Sequence, residues 1–183
     1  MTSLPNRPNA ALLVIDVQVG VVASGFERDR VVRNIDDLVR KARAAKVPVI
    51  WVQHSDPWLE RGSDDWQIVP ELTPAIGEHV VHKTFSSAFE ATDLEDTLAK
   101  AGVGHLYICG AQTNFCIRHT THASFERGYD VTLISDAHTT SDEEWEGVKV
   151  SAAAVIAEQN LGMSGYQLPG RKVVTQTTAL TTF

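Results

Sequence analysis

Short apolar runs rich in valine and isoleucine recur along the whole chain, and stretches of helical periodicity separate them. The runs lie at residues 11–15, 47–52, 79–81, 105–109, 131–134 and 172–174. Nearly all of their residues are apolar, which is typical of strands buried on both faces of a parallel sheet. The pattern predicts an α/β fold, a three-layer αβα arrangement with a doubly wound sheet of six parallel strands.

Three segments between these runs carry apolar residues at spacings of three and four, as amphipathic helices do. The first contains Val31, Ile35, Leu38, Val39 and Ala42, the second Leu94, Leu98 and Ala101, and the third Trp145, Val148, Ala152, Val155 and Ile156. Ser141 and Glu144 fit the spacing of a capping box, so the third helix is expected to begin there. Residues 55–74 and 162–170 are rich in Gly or Pro, and both predict long loops.

Size and charge limit the classes of function. A chain of 183 residues fits a single domain, residues 1–183, with an irregular N-terminal segment at residues 1–9. The formal net charge of -7 gives no basic stripe for nucleic acid or an anionic membrane, so a small-molecule substrate is expected. Neither a signal peptide nor a membrane-spanning run is visible, which predicts a cytoplasmic protein.

Three reactive side chains follow three different predicted strands. Asp16 closes the first strand, Lys83 the third, and Cys116 comes shortly after the fourth. The carboxyl ends of parallel strands meet at one edge of a sheet, where ligands bind in such folds, so these side chains are expected to converge. A carboxylate, an ammonium and a thiol together favour nucleophilic catalysis by the cysteine.

The two cysteines have different surroundings. Cys116 is predicted to lie in the first turn of a helix, where the helix dipole and a nearby ammonium would lower the pKa of its thiol. Cys109 lies inside a strand, where a small apolar residue suffices, and is interpreted as structural. Two cysteines in one strand-loop-helix unit do not indicate a disulfide framework.

Three segments carry a family resemblance: Leu-Leu-Val-Ile-Asp-Val-Gln ending at Gln18, His-Lys-Thr-Phe-Ser-Ser-Ala-Phe ending at Phe89, and Cys-Gly-Ala-Gln-Thr-Asn-Phe-Cys-Ile ending at Ile117. In this order they resemble the isochorismatase-like cysteine hydrolases, the superfamily of nicotinamidases, N-carbamoylsarcosine amidases and isochorismatases. The resemblance implies an Asp-Lys-Cys catalytic triad at Asp16, Lys83 and Cys116.

The resemblance also implies a mechanism. Asp16 acts as general base, Cys116 attacks a small amide-like substrate (carboxamide, carbamoyl or ureido), and a thioester forms before water releases the acid. The backbone N–H groups of Gln112 and Cys116 would form the oxyanion hole, with a cis peptide bond between Ala111 and Gln112. The family further implies a homo-oligomer, a dimer or higher, and no cofactor is predicted for this chain.

The substrate pocket is predicted in less detail. Gln18, His54, Trp58, Ala111 and Phe115 are candidate substrate-binding residues, although Gln18 could instead support the loop around Asp16. Family members often have an aromatic residue shortly after this glutamine, whereas here residues 19–22 are Val-Gly-Val-Val, so a flat-ring substrate is not implied. His54 and Asp56 lie where metal-dependent nicotinamidases have metal ligands, but in reversed order and without an obvious third ligand, so no metal is predicted.

Two other functions fit part of the pattern. An isochorismatase would cleave a vinyl ether and would not need a thiol nucleophile, so Cys116 argues against it. A non-enzymatic protein could use an exposed cysteine of low pKa as a redox sensor, or could bind a metabolite. A sensor has no need for the Asp16 carboxylate beside the thiol.

Overall fold

The computed structural model describes residues 2–183 and is built around one central sheet. Its strands are β1 (Asn9–Ile15), β2 (Val49–His54), β3 (His79–Lys83), β4 (Val103–Ala111), β5 (Asp130–Thr139), β8 (Gln167–Leu168) and β9 (Arg171–Gln176). They lie in the order β3-β2-β1-β4-β5-β9-β8. The first six of these in space are the predicted strands, and each neighbouring pair among them is parallel. The short β8 adds an antiparallel seventh strand, which the sequence did not predict.

Helices cover both faces of the sheet: α1 (Val19–Val22), α2 (Arg28–Ala44), α3 (Leu94–Lys100), α4 (Arg118–Glu126) and α5 (Ala152–Ser164). The α/β prediction is therefore confirmed. Alternate β1 residues enter two separate cores, because successive strand side chains point to opposite faces. Leu12 and Val14 pack on the side of α2, and Leu13 and Ile15 on the side of α3, α4 and α5.

The helical patterns were correct for α2 and α3, and in the third segment only the part from Ala152 onward is helical. All five predicted core residues of α2 are buried. The chain from Glu143 to Val150 instead forms a hairpin, with β6 (Glu143–Trp145) antiparallel to β7 (Val148–Val150), and α5 begins only at Ala152. Ser151, and not Ser141, caps that helix through a hydrogen bond accepted from the Ala154 N–H.

Of the two predicted long loops, the first is confirmed. Between β2 and β3 the chain forms turns and isolated bridges. It forms no helix there, and no strand beyond these single bridges. The second was wrong in part, since α5 continues to Ser164 and β8 follows at Gln167. In the N-terminal segment, residues 3–8 are irregular, and the Arg7 guanidinium is 2.9 Å from Glu95 and 2.6 Å from the Tyr129 hydroxyl. Residue 1 lies outside the described residues. Within residues 2–183, no helix is both long and apolar enough to cross a membrane.

Candidate active site

The structure brings Asp16, Lys83 and Cys116 together at the carboxyl edge of the sheet. Lys83 Nζ lies 2.7 Å from Asp16 Oδ2 and 3.1 Å from Cys116 Sγ. The Asp16 and Lys83 side chains are almost fully buried, 1% and 0% exposed. Burying two charges is tolerated only when they are paired, so this ammonium and carboxylate hold each other in place.

A close contact between β1 and β4 fixes the position of Asp16. Gly110 has a φ of +124°, and a Cβ atom there would lie 1.9 Å from the Ile15 carbonyl oxygen. Only glycine permits this approach. Asp16 itself has a φ of 50°, a left-handed conformation that is uncommon outside glycine and clusters at functional sites. Its N–H donates to the Val52 carbonyl at 2.9 Å, which ties the turn to β2.

Cys116 lies in a π-helical turn, Thr113–Ile117, that leads directly into α4. The peptide bond that precedes this turn, between Ala111 and Gln112, is cis. The N–H groups of Phe115 and Ile117 both donate to the Gln112 carbonyl at 3.1 Å, so the turn is folded around Gln112. Cys109 is fully buried within β4, as its interpretation as a structural residue requires.

Electrostatics in the triad correct one expectation from the sequence. Burial raises the pKa of the Cys116 thiol to about 12, and the nearby Asp16 charge raises it further, while Lys83 opposes the shift. The resting nucleophile is therefore a thiol and not a preformed thiolate. The expected lowering of the thiol pKa does not occur, because desolvation and the Asp16 carboxylate both disfavour a buried anion.

The other two members of the triad also have shifted pKa values. Burial raises the pKa of Asp16, although the Lys83 ammonium partly offsets it. For Lys83, burial lowers the pKa, but the interactions with Asp16 and Cys116 outweigh it and the net shift is upward. Neither Asp16 oxygen accepts a well-aligned hydrogen bond from residues 2–183, despite the short ion pair. The carboxylate is thus available as a proton acceptor.

A cavity of about 490 Å³ opens above the triad. Asp16, Gln112 and Cys116 lie at its base, and its other lining residues are Gly20, Val21, His54, Asp56, Trp58, Leu59, Asp65, Ser86 and Phe115. This volume suits a small-molecule ligand. Of the candidate substrate-binding residues, the structure places His54, Trp58 and Phe115 in the lining.

Gln18 and Ala111 do not line the cavity. The Gln18 side chain is buried, donates to the carbonyls of His54 and Trp66 at 2.9 and 2.8 Å, and accepts from the His54 N–H at 2.8 Å. It therefore supports the loop, the alternative that the sequence had left open. Ala111 is fully buried in β4, so the structure offers its side chain no route to a substrate.

Several residues at the site were not predicted from the sequence. Asp65, Leu59 and Ser86 line the cavity without belonging to a motif. His138 is buried beneath the π-helical turn, with Nδ1 2.9 Å from Thr113 Oγ1 and Nε2 3.0 Å from Asn160 Oδ1. Burial lowers its pKa, which keeps the ring neutral. The only sequence signal was the position of this histidine at the carboxyl end of the fifth strand.

His54 connects the triad to the loop. Its Nδ1 is 3.3 Å from Lys83 Nζ, and its Nε2 is 3.2 Å from Asp56 Oδ2. Within residues 2–183, no three His, Cys, Asp or Glu side chains are grouped to hold a metal ion. His82 stacks on Trp66, with ring centroids 5.6 Å apart, and His79 pairs with Asp93 at 2.9 Å.

Comparisons with known proteins agree with this geometry. The family model for the isochorismatase domain matches residues 10–158. The chain therefore belongs to the isochorismatase family. Its Asp16, Lys83 and Cys116 all fall within the matched region.

Three curated relatives have different names. A streptothricin hydrolase of Streptomyces noursei is 38% identical over 77% of this chain, which spans 58% of that protein's length. A secreted isochorismatase effector of Verticillium dahliae is 31% identical over 85% of the chain and 84% of the relative. A ureidoacrylate amidohydrolase of Enterobacter sp. strain 638 is 29% identical over 75% and 81%, respectively.

Solved structures share the fold over nearly the whole chain. An isochorismatase from Pseudomonas putida KT2440 superposes with a TM-score of 0.85 at 27% identity, covering 93% of this chain and 89% of the other. A cysteine hydrolase from Pseudomonas syringae pv. phaseolicola 1448A gives 0.81 at 28% identity, over 98% and 93%.

Proposed function

We propose that this protein is a cysteine-dependent amidohydrolase that cleaves a small carboxamide, carbamoyl or ureido substrate and releases ammonia or an amine. The observation that carries the proposal is the position of Lys83 Nζ between Asp16 Oδ2, at 2.7 Å, and Cys116 Sγ, at 3.1 Å. Relatives named as a streptothricin hydrolase and a ureidoacrylate amidohydrolase support hydrolysis of C–N bonds.

In the first half-reaction Cys116 Sγ attacks the carbonyl carbon while Asp16 takes the thiol proton. A base is required because the thiol pKa is raised to about 12. Negative charge then develops on the substrate oxygen, which the N–H groups of Gln112 and Cys116 would stabilise. Asp16 returns the proton to the leaving nitrogen, the C–N bond breaks, and a thioester remains.

In the second half-reaction a water molecule attacks the thioester, and Asp16 takes the proton of that water. The second oxyanion collapses, the C–S bond breaks, and the thiol recovers its proton from Asp16. Lys83 stays protonated throughout and offsets whichever neighbour carries the negative charge.

The raised pKa of Cys116 also bears on the alternatives. Redox-sensor cysteines have a low pKa and are exposed, whereas this thiol is largely buried and poorly ionised. A vinyl ether hydrolase would not need a nucleophilic thiol in contact with the base. Both features favour amide hydrolysis.

The test is ammonia release from a panel of small amides by the wild-type protein, with mass spectrometry of the quenched enzyme. We expect an acyl adduct on Cys116 and loss of hydrolysis in Cys116→Ser. The matched control is Cys109→Ala, which should keep most of the activity. Equal loss in both variants, or hydrolysis of a vinyl ether but of no amide, would contradict the proposal.

The proposal extends to assembly into a homo-oligomer. Apolar side chains are exposed on the β6–β7 hairpin and α5, with Trp145 74%, Val148 63% and Leu161 75% exposed. Large apolar side chains that are exposed in this way often mark a protein interface. Light scattering at low micromolar concentration tests this assembly. A strictly monomeric mass at full activity would contradict it.

A further inference from the structure

The walls of the active-site cavity are acidic. Among the described residues the lining includes Asp16, Asp56 and Asp65 but no lysine or arginine. Lys83 is buried beneath the lining and is paired with Asp16, so it does not offset the other two carboxylates. The cavity therefore presents a negative potential to an entering molecule.

The loop between β2 and β3 adds to this potential. Residues 55–74 contain five acidic side chains and one arginine. The Asp56 carboxylate accepts hydrogen bonds from the N–H groups of Trp58 and Leu59, both at 2.8 Å. These bonds lower the pKa of Asp56 although its partial burial opposes the shift, so it stays ionised near neutral pH.

Asp65 differs from Asp56 because its carboxylate has no hydrogen-bond or ion-pair partner anywhere in residues 2–183. Its position depends on Gly20, the residue opposite. The Gly20 N–H donates to the Asp65 carbonyl at 2.9 Å, and a Cβ atom at position 20 would lie 2.9 Å from the Asp65 Cβ. The missing side chain at Gly20 thus creates the room in which an unpaired anion faces the cavity.

Aromatic side chains at the cavity also favour a positively charged ligand. At the mouth, Trp58 is 93% exposed and Phe115 43% exposed. Aromatic faces beside a cavity attract cationic groups through their quadrupole.

We infer that the substrate carries a positively charged nitrogen beside the amide that is cleaved, and that Asp65 is the residue that selects it, with Asp56, Trp58 and Phe115 completing the cationic subsite. This inference rests on the proposed amidohydrolase function and names its substrate class. The amide occupies the base of the cavity at Cys116, and the cationic group lies toward the loop.

The first test uses pairs of amides that are matched in size and differ in charge. The ω-amino amides 3-aminopropanamide, 4-aminobutanamide and 6-aminohexanamide are each compared with the alkanamide in which a methyl group replaces the ammonium. We expect kcat/KM to favour the cationic member by about tenfold at the best chain length, from two carboxylates and the aromatic faces. The preference should shrink in 0.5 M salt, because partly exposed charges are screened.

Variants assign the preference to one residue. Asp65→Asn should lower the preference by about two- to fivefold through KM, because Asp65 is exposed and one charge contributes modestly there. For this variant, kcat/KM should fall more for the cationic amide than for the neutral one. The matched control is Asp64→Asn, the neighbouring exposed carboxylate that does not line the cavity, and it should leave the preference intact.

The second test does not depend on hydrolysis. Cys116 is labelled with 2-(trimethylammonium)ethyl methanethiosulfonate or with its anionic sulfonatoethyl analogue, and each rate is divided by the rate for free cysteine. We expect the cationic reagent to be favoured in the wild type and in Asp64→Asn, and less favoured in Asp65→Asn. A labelling preference without hydrolysis of any amide would overturn the proposed function and retain the cationic subsite.

Other outcomes overturn the subsite itself. Hydrolysis of cationic and neutral amides at equal kcat/KM would do so while leaving the amidohydrolase proposal standing. A normalised labelling ratio of one, a Cys116 that neither reagent reaches, or an unchanged preference in Asp65→Asn would have the same consequence.

Discussion

Replacing Asp16 by Asn separates two properties of Cys116, its ionisation and its use in catalysis. The change keeps the size of the side chain and removes its negative charge. Asp16 raises the pKa of the Cys116 thiol, whereas Lys83 lowers it. Without the carboxylate, the Lys83 ammonium is left beside the sulfur alone, so the thiol becomes more acidic as the enzyme loses its general base.

The expected changes in the rates of Cys116 alkylation and of hydrolysis follow from the charges around the thiol. A thiol of pKa about 12 is almost entirely protonated at pH 7.5, whereas roughly one in ten free cysteine thiols is ionised. Removing a like charge in contact lowers a pKa by about 1–3 units, so alkylation should accelerate by roughly tenfold or more. Hydrolysis should fall by about 10²–10⁴-fold, the usual effect of losing a general acid–base group.

Iodoacetamide labelling followed by intact-mass measurement, beside ammonia release on the same samples, checks both numbers. Lys83→Met provides the opposite perturbation and should slow labelling and hydrolysis together. Cys109 is buried and its pKa is raised, so it should not contribute to the labelled mass. If Asp16→Asn labelled no faster than the wild type, the electrostatic account would be wrong, and unimpaired hydrolysis would remove Asp16 as the base.

Other predictions test the surroundings of the triad. The pKa of Asp16 is raised, and the base must be ionised to accept a proton. The acidic side of the pH profile of kcat/KM should therefore have its midpoint above the ordinary carboxyl pKa of about 3.9. A midpoint at or below that value would contradict this. Gly110→Ala should destabilise the fold by at least about 3 kcal/mol in urea unfolding, whereas Gly162→Ala, with open space around its Cβ, should stabilise α5 by about 0.5–1 kcal/mol. His138→Leu should leave the Thr113 hydroxyl unpaired and lower the free energy of unfolding by about 1–3 kcal/mol. It should lower kcat more than it changes KM, and an unaltered kcat would make His138 a purely structural residue.

The sequence predicted the central sheet well because its strands are buried on both faces. Residues 11–15 and 49–52 are all apolar and buried. A strand that is buried on both faces appears in the sequence as a continuous apolar run, whatever surrounds it. Asp16 was predictable for the same reason, since it ends such a strand, whereas Lys83 ends the partly buried edge strand β3 and was found from its position after a short run of valines. What sequence spacing could not supply was the effect of desolvation on Cys116, which depends on how much water the assembled site excludes.

The β6–β7 hairpin shows how two readings of one segment compete. Trp145, Val148 and Ala152 lie at helical spacing, but Glu146 and Gly147 form a two-residue turn in which both φ angles are positive, 49° and 81°. Such a turn joins antiparallel strands, and Gly147 was its sequence signal. The cavity loop was harder still, because contacts such as the bridge between Gln18 and Ile68 set its path.

The Gln18 side chain lies where the strands that carry the reacting groups meet the loop that lines the cavity. The reacting groups lie on β1, β3 and the turn after β4, whereas the largest group among the other lining residues, Asp56, Trp58, Leu59 and Asp65, comes from the single excursion between β2 and β3. One hydrogen bond of the buried Gln18 amide, to the Trp66 carbonyl, ties this excursion to the strands, and two more hold the His54 backbone at the end of β2. Mutations in the excursion can therefore alter substrate choice with little effect on the chemistry, which makes it the segment to exchange when redirecting the enzyme toward another amide.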